Sequence, residues 1–110
     1  MALEKTEKQP FERYFVYGDF SEVLDIEAGE TIDTGDAFTT ITAVDSADQD
    51  ATSDVIDDAS VNAEDAEGYL WFRIKDGVDG EKYHFTVRIV TSAGNRYEVD
   101  GHIVVKEITG

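Results

Sequence analysis

The side chains able to do chemistry gather in two places. Asp45, Asp48, Asp50 and Asp54 share one polar stretch, and loop carboxylates are the oxygen donors a calcium ion takes. Their spacing does not fit the helix-loop-helix calcium loop: no Gly follows the third acidic position, and Ala59 stands where the bidentate Glu would fall if Asp48 came first. A solvated acidic loop is therefore expected. His84 and His102, with Asp100 near the second, have the residue types of a zinc site, but a structural zinc takes four ligands, so an exposed histidine pair without an ion is expected. Asp57 and Asp58 are neighbours, and adjacent strand residues point to opposite faces, so they cannot converge on one bond as acid and base. The chain has no Ser-His-Asp order and no phosphate-cradling glycine loop; Gly77-Val78-Asp79-Gly80 joins two strands without a following helix. Neither catalysis nor a bound metal or cofactor is expected.

The elements that carry these groups read as strands. A chain of 110 residues is one domain with one core, and 41% hydrophobic content with twelve aromatics is enough to pack it. Cysteine is absent, which removes disulfides and thiolate sites. The net charge is −16, and between Tyr14 and Phe72 there is not one Lys or Arg. Such a surface repels nucleic acid and anionic membrane and favours basic partners or cations. A high-salt habitat would give the same bias. Residues 1–10 alternate Lys and Glu without an apolar run, so a polar N-terminal arm is expected there, no secretory signal, and the folded domain over 11–110. A chain lacking the arm is expected to keep its fold.

The C-terminal third is the clearest. In Tyr69 to Lys75, Leu70, Phe72 and Ile74 lie on one face and Tyr69, Trp71 and Arg73 on the other; Tyr83, Phe85, Val87 and Ile89 then alternate with Lys82, His84, Thr86 and Arg88. A three-residue loop with Gly94 in the left-handed region pairs Thr91 with Asn95. Ile89 then meets Tyr97, Val87 meets Val99, Phe85 lies over Gly101, His84 faces His102 and Arg88 faces Glu98. A two-residue loop would set Ile89 against Glu98, which the apolar pattern rejects. Tyr83 stands two residues before buried Phe85, as at the tyrosine corner of immunoglobulin domains, and Trp71 is a candidate core tryptophan. Upstream, strands are expected at Phe20–Ile26, Phe38–Val44, Val55–Ile56 and Ala59–Val61, with at most one helical turn near Ala63–Glu67. About seven short strands with turns between them predict an all-β, immunoglobulin-like sandwich.

One segment breaks the alternation. Phe11-Glu12-Arg13-Tyr14-Phe15-Val16-Tyr17 opens a strand that is apolar on both faces, with Phe20 beyond it. A strand buried on both sides lies inside a sandwich or packs against another subunit, since monomers rarely expose aromatic patches. Phe11, Tyr14, Phe15, Val16, Tyr17 and Phe20 are the candidate subunit interface.

The order Asp19-Phe20-Ser21, Gly29-Glu30-Thr31-Ile32, Asp76-Gly77-Val78-Asp79-Gly80-Glu81-Lys82-Tyr83 and Thr91-Ser92-Ala93-Gly94-Asn95 with Glu98 resembles the small immunoglobulin-like virion proteins of tailed bacteriophages, in particular the fiber-tail adaptors. The resemblance runs from about Gln9 to Glu107. It implies a non-enzymatic structural protein of the virion, in several copies, contacting other neck, tail, fibre or capsid proteins; the acidic surface adds that neither nucleic acid nor membrane is an expected partner. It assigns no individual binding residue. A capsid decoration protein is the alternative within that class. More distant are a calcium-dependent adhesion module and a carbohydrate-binding sandwich with Tyr69 and Trp71 as its stacking platform.

Overall fold

The computed structural model describes residues 7–64 and 68–107, the side chains of residues 58–64 excepted. Among them are seven strands and one helical turn: β1 (Glu7–Lys8), β2 (Tyr14–Asp19), β3 (Thr40–Val44), α1 (Thr52–Val55), β4 (Ile56–Glu64), β5 (Tyr69–Ile74), β6 (Lys82–Val90) and β7 (Arg96–Val105). They form two sheets, one ordered β1-β7-β6-β3 and the other β2-β5-β4. This is the expected all-β sandwich of immunoglobulin-like type.

The β6–β7 hairpin sets the packing. Its register pairs His84 with His102, Phe85 with Gly101, Val87 with Val99, Arg88 with Glu98 and Ile89 with Tyr97, as the apolar pattern requires. Gly94 sits at φ 83° and closes the loop, with the Thr91 N–H donating to the Asn95 carbonyl at 2.8 Å. Phe85, Val87, Ile89, Val99 and Ile103 then face Val16, Leu70, Phe72 and Ile74 of the other sheet, and the Phe72 and Phe85 rings meet with centroids 6.1 Å apart. Tyr83 forms the corner: its hydroxyl accepts the Val78 N–H at 2.9 Å.

Several upstream boundaries differ from the sequence expectation. Phe20–Ile26 is a run of turns, because Phe20, Val23 and Leu24 lie at helical spacing and the Val23 and Leu24 N–H groups both donate to the Phe20 carbonyl at 3.1 Å. Phe20 itself is 0% exposed, so its burial is real and only the backbone differs. Phe38 is left out of β3 and lies in a turn, 62% exposed. Val55 belongs to α1, and in place of the two short strands expected at Val55–Ile56 and Ala59–Val61 there is one strand, β4, whose pairing with β5 shifts register between Asp57 and Asn62. Of the turn expected at Ala63–Glu67, Ala63 and Glu64 belong to β4 and the remainder lies outside the described residues. Trp71 is not the core tryptophan; it faces outward from β5 while Leu70 and Phe72 fill the interior.

The aspartates of the acidic half build its turns. Asp19, Asp33, Asp36, Asp45 and Asp50 each accept the backbone N–H two residues on, at 2.8–3.1 Å, the Asx turn that a short carboxylate forms. Glu30 joins two segments. Its carboxylate accepts the Asp25 N–H at 2.8 Å, the Thr91 hydroxyl at 2.5 Å and the Asn95 amide at 3.0 Å, while beside it the Ser92 N–H donates to the Thr31 carbonyl and the Thr31 N–H to the Ser92 hydroxyl. The loop before β3 is thereby fixed to the β6–β7 turn.

The sandwich also begins before Pro10. Glu7 and Lys8 pair in parallel with Val104 and Val105, and Lys8, only 4% exposed, donates its ammonium to the Gln9 carbonyl at 2.7 Å and to the Asp76 carbonyl. Burial pulls the Lys8 pKa down, against the pull of Asp76 and Glu12. The expected boundary at residue 11 therefore leaves the edge strand β1 outside the domain. A chain beginning at residue 11 loses that strand and leaves the Asp76 carbonyl without its donor, so it is expected to be less stable by about 2 kcal/mol or more. Urea denaturation measures this, and an unchanged midpoint refutes it.

Two substitutions test the turns. At Gly77, φ is +99° and an added Cβ would stand 2.7 Å from Val105 Cγ2; Gly77→Ala is expected to lower stability by about 2 kcal/mol, read from the same urea transition. Glu30 is held below its ordinary carboxylate value of 4.5 by the Thr91 hydroxyl first, then by the Asp25 amide and the Asn95 side chain. A depressed folded-state pKa means stability present above the unfolded value and lost as pH falls through the folded one. The stability difference between wild type and Glu30→Gln is therefore expected to be largest at neutral pH and to shrink below about pH 4.5; a difference constant down to pH 3 would contradict the Glu30 assignment.

Candidate interaction surface

The outer face of the β2-β5-β4 sheet is where the apolar alternation leaves aromatic rings outside. Antiparallel pairing sets Tyr17 opposite Trp71, Phe15 opposite Arg73 and Asp19 opposite Tyr69. The Tyr17 and Tyr69 rings stack at 4.5 Å with an interplanar angle of 23°, and Tyr17 meets Trp71 at 4.8 Å, tilted by 51°. All three are half-buried by one another. Tyr17 and Tyr69 cover each other's faces, so Tyr69 and Trp71 do not form the open coplanar platform on which a sugar ring would lie.

Charge collects at the β2-start end of this face. Arg73 lies over the Phe15 ring, its guanidinium carbon 4.6 Å from the centroid. Arg73 and Arg13 both reach Asp57 Oδ2, at 3.4 and 3.5 Å. Arg13 brackets a surface hollow with Phe11, Glu12, Tyr14 and Asp76.

The six residues expected at an interface divide by the strand period. Val16 and Phe20 are wholly inside the core and offer nothing to a neighbour. Tyr14 is partly buried against that core, with its hydroxyl donating to the Glu7 carbonyl at 3.3 Å. Phe11 is 96% exposed, Phe15 is 46% exposed, and Tyr17 belongs to the aromatic cluster. Arg13, Arg73 and Asp57 were not among the expected residues. Asp57 joins them only through the β4–β5 pairing, which the irregular apolar pattern around residue 57 does not announce. Tyr69 and Trp71 were visible through the β5 alternation.

The other chemical candidates are occupied differently. Asp45 Oδ1 accepts the Ala47 and Gln49 N–H groups at 2.9 and 3.0 Å. Asp50 accepts the Thr52 hydroxyl at 2.7 Å and its N–H at 3.1 Å, and these two bonds lower its pKa. Asp48 takes a positive φ in the turn and Asp54 lies in α1. His84 Nε2 lies 3.4 Å from Asp100 Oδ1, which also accepts the Thr86 hydroxyl at 3.0 Å. Among the described residues no three of His, Asp and Glu gather in the arrangement a cation requires.

Fold and surface together define an all-β sandwich module that presents an aromatic sheet face. The chain belongs to the family described as Podophage GP4 fiber-tail adaptor protein gp77, whose model matches residues 8–104. No curated protein sequence matches it. Among solved structures, the crystal structure of CopC from Methylosinus trichosporium OB3b is similar, with a TM-score of 0.63 and 16% sequence identity over 96% of this chain and 87% of that one. At that identity the likeness shows the fold alone.

The division of β2 into two faces has a direct test. Val16→Ala is expected to cost about 2 kcal/mol because it opens a cavity in the core, whereas Phe15→Ala is expected to cost under about 1 kcal/mol. Thermal melts of the two variants compare them, and equal losses would contradict the assignment of faces.

Proposed function

We propose that this chain is a non-enzymatic structural protein of a bacteriophage particle, an adaptor of the neck, tail or fibre region that holds neighbouring subunits together in several copies. The observation that carries the reading is membership of the fiber-tail adaptor family across residues 8–104. The surface chemistry supports it: Phe11, Phe15, Tyr17 and Trp71 on or beside one sheet face are the residue types that dominate protein interfaces. Among the described residues the carboxylates of Asp45 and Asp50 hold turns rather than converge on a reacting bond. In this reading the N-terminal third supplies much of the contact, and the acidic segment from Asp45 to Asp54 faces solvent or a basic partner.

Mass spectrometry and cryo-electron microscopy of purified particles test the assignment. The protein is expected in the particle, at the tail or fibre junction. Density over the capsid shell would instead make it a decoration protein, and its absence from washed particles would overturn the proposal. Phe15→Ala with Trp71→Ala is expected to reduce its occupancy by about tenfold, the consequence of removing two anchor residues, while the isolated protein stays folded with a melting temperature lowered by several degrees.

A further inference from the structure

One edge of the larger sheet is left open. The Thr91 N–H donates to the Asn95 carbonyl at 2.8 Å and the Val105 N–H to the Glu81 carbonyl at 2.9 Å, both continuing the β6–β7 register, so the odd-numbered residues of β7 turn their backbone groups toward β6. The even-numbered residues turn theirs outward. β1 covers that outer edge only at Val104 and Val105. Among the described residues nothing bonds the outward N–H and carbonyl groups of Arg96, Glu98 and Asp100, all three of them exposed. At the far side of the same sheet β3 is closed off: its outward Ala43 N–H donates to Thr52 Oγ1 at 3.0 Å, and the Ala43 carbonyl accepts the Ala51 N–H at 2.9 Å. An unpaired row of backbone donors and acceptors is a template for another strand.

The side chains along this edge select the strand that fits. A chain of net charge −16 repels its own copies, so copies meet most readily where charge is balanced locally. The outward face of β6 and β7 is such a place: Lys82, Arg88 and Arg96 stand there against Glu98 and Asp100, and β3 beside them carries no charge. We infer that β7 pairs antiparallel with β7 of a second copy across a two-fold axis, with Glu98 at the centre facing its own counterpart. Arg96 of each copy then faces Asp100 of the other, an opposite-charge cross-strand pair that the axis repeats. Arg96 makes no ion pair within its own copy; its guanidinium lies on the exposed Phe38 ring at 4.8 Å, a contact it exchanges for the carboxylate. The central carboxylates are each neutralised by Arg88 of the same copy, 2.7 Å away. On the inner face Tyr97 meets Val99 of the other copy, apolar against apolar. Moving the axis to Val99 sets Glu98 against Asp100, a like-charge pair, and moving it to Tyr97 shortens the pairing to Arg96–Glu98. This contact goes beyond the adaptor reading and does not depend on it.

The chain has no cysteine, so one introduced thiol reports on the axis. In Glu98→Cys the two thiols stand on facing residues of a hydrogen-bonded antiparallel pair, about 5.5 Å apart at Cα, within the range a disulfide spans. Mild oxidation of the purified full chain is expected to give a covalent dimer. Thr42→Cys, exposed on β3 of the same sheet, is expected to stay monomeric under the same conditions. Sedimentation equilibrium of the cysteine-free chain reads the register. Arg96→Asp is expected to raise the dimer dissociation constant about tenfold, and Arg96→Asp with Asp100→Arg to return it to within about threefold of wild type. Equal disulfide yields at positions 42 and 98, a wild-type chain that stays monomeric up to about 1 mM, or a dissociation constant unmoved by Arg96→Asp or not restored by the double exchange would overturn the inference. Each of these outcomes leaves the adaptor reading standing; that reading fails separately, by absence of the protein from washed particles.

Discussion

In an antiparallel pair the side chains repeat every two residues, so a slip of one position turns every residue to the opposite face. The β6–β7 hairpin places this constraint at the centre of the molecule. Phe85, Val87 and Ile89 on one strand and Val99 and Ile103 on the other can share a face in one register, the one that Gly94 closes. That face is the floor on which Val16, Leu70, Phe72 and Ile74 pack. Once the inner face is fixed, the outer faces follow: His84, Arg88, Glu98 and His102 outside one sheet, Phe15, Tyr17, Trp71 and Arg73 outside the other. The outward aromatic face is thus the complement of the core, produced by the same alternation.

The acidic half of the chain answers to a different rule. Its carboxylates are short acceptors placed where the backbone turns, and five aspartates take up N–H groups that no strand would satisfy. Glu30 extends this across the fold, since one carboxylate fixes its own loop to the β6–β7 turn. Part of the negative charge is therefore a by-product of turn construction. The arginines come from elsewhere in the chain, Arg13 before β2 and Arg73 late in β5, so strand pairing alone brings them together on Asp57.

How far the sequence could be read depended on whether periodicity and turn chemistry agreed. In β5, β6 and β7 they agree, and faces, register and the Tyr83 corner all follow from residue order. Between Phe20 and Val61 they conflict. Phe20, Val23 and Leu24 are apolar enough for a strand, but their spacing and the Asp19 cap favour turns, so tertiary burial was legible and backbone conformation was not. In Tyr14 to Tyr17 the aromatic side chains hid an ordinary alternation: Val16 faces inward and Phe15 outward, and the ring cluster with Tyr69 and Trp71 accounts for the outward aromatics. The Arg13–Asp57–Arg73 group was out of reach, because contacts between residues so far apart in the chain need the β4–β5 pairing. Lys8 misled for a related reason, its polar type concealing a buried ammonium bonded to carbonyl oxygens.

The short strand β1 has a mechanical consequence. It runs parallel to β7, with Glu7 beside Val104 and Lys8 beside Val105, so the chain enters alongside the last two residues of that strand, in the same direction, and leaves past the same end. Tension pulling residues 7 and 107 apart along the strands loads the bonds between β1 and β7 together, in shear, instead of peeling them one at a time. The Lys8 ammonium, seated on the Gln9 and Asp76 carbonyls, adds resistance at the same point. Rupture under load depends on the barrier to unfolding and not on equilibrium stability. Two residues of parallel strand therefore form a latch that resists stretching along the strands.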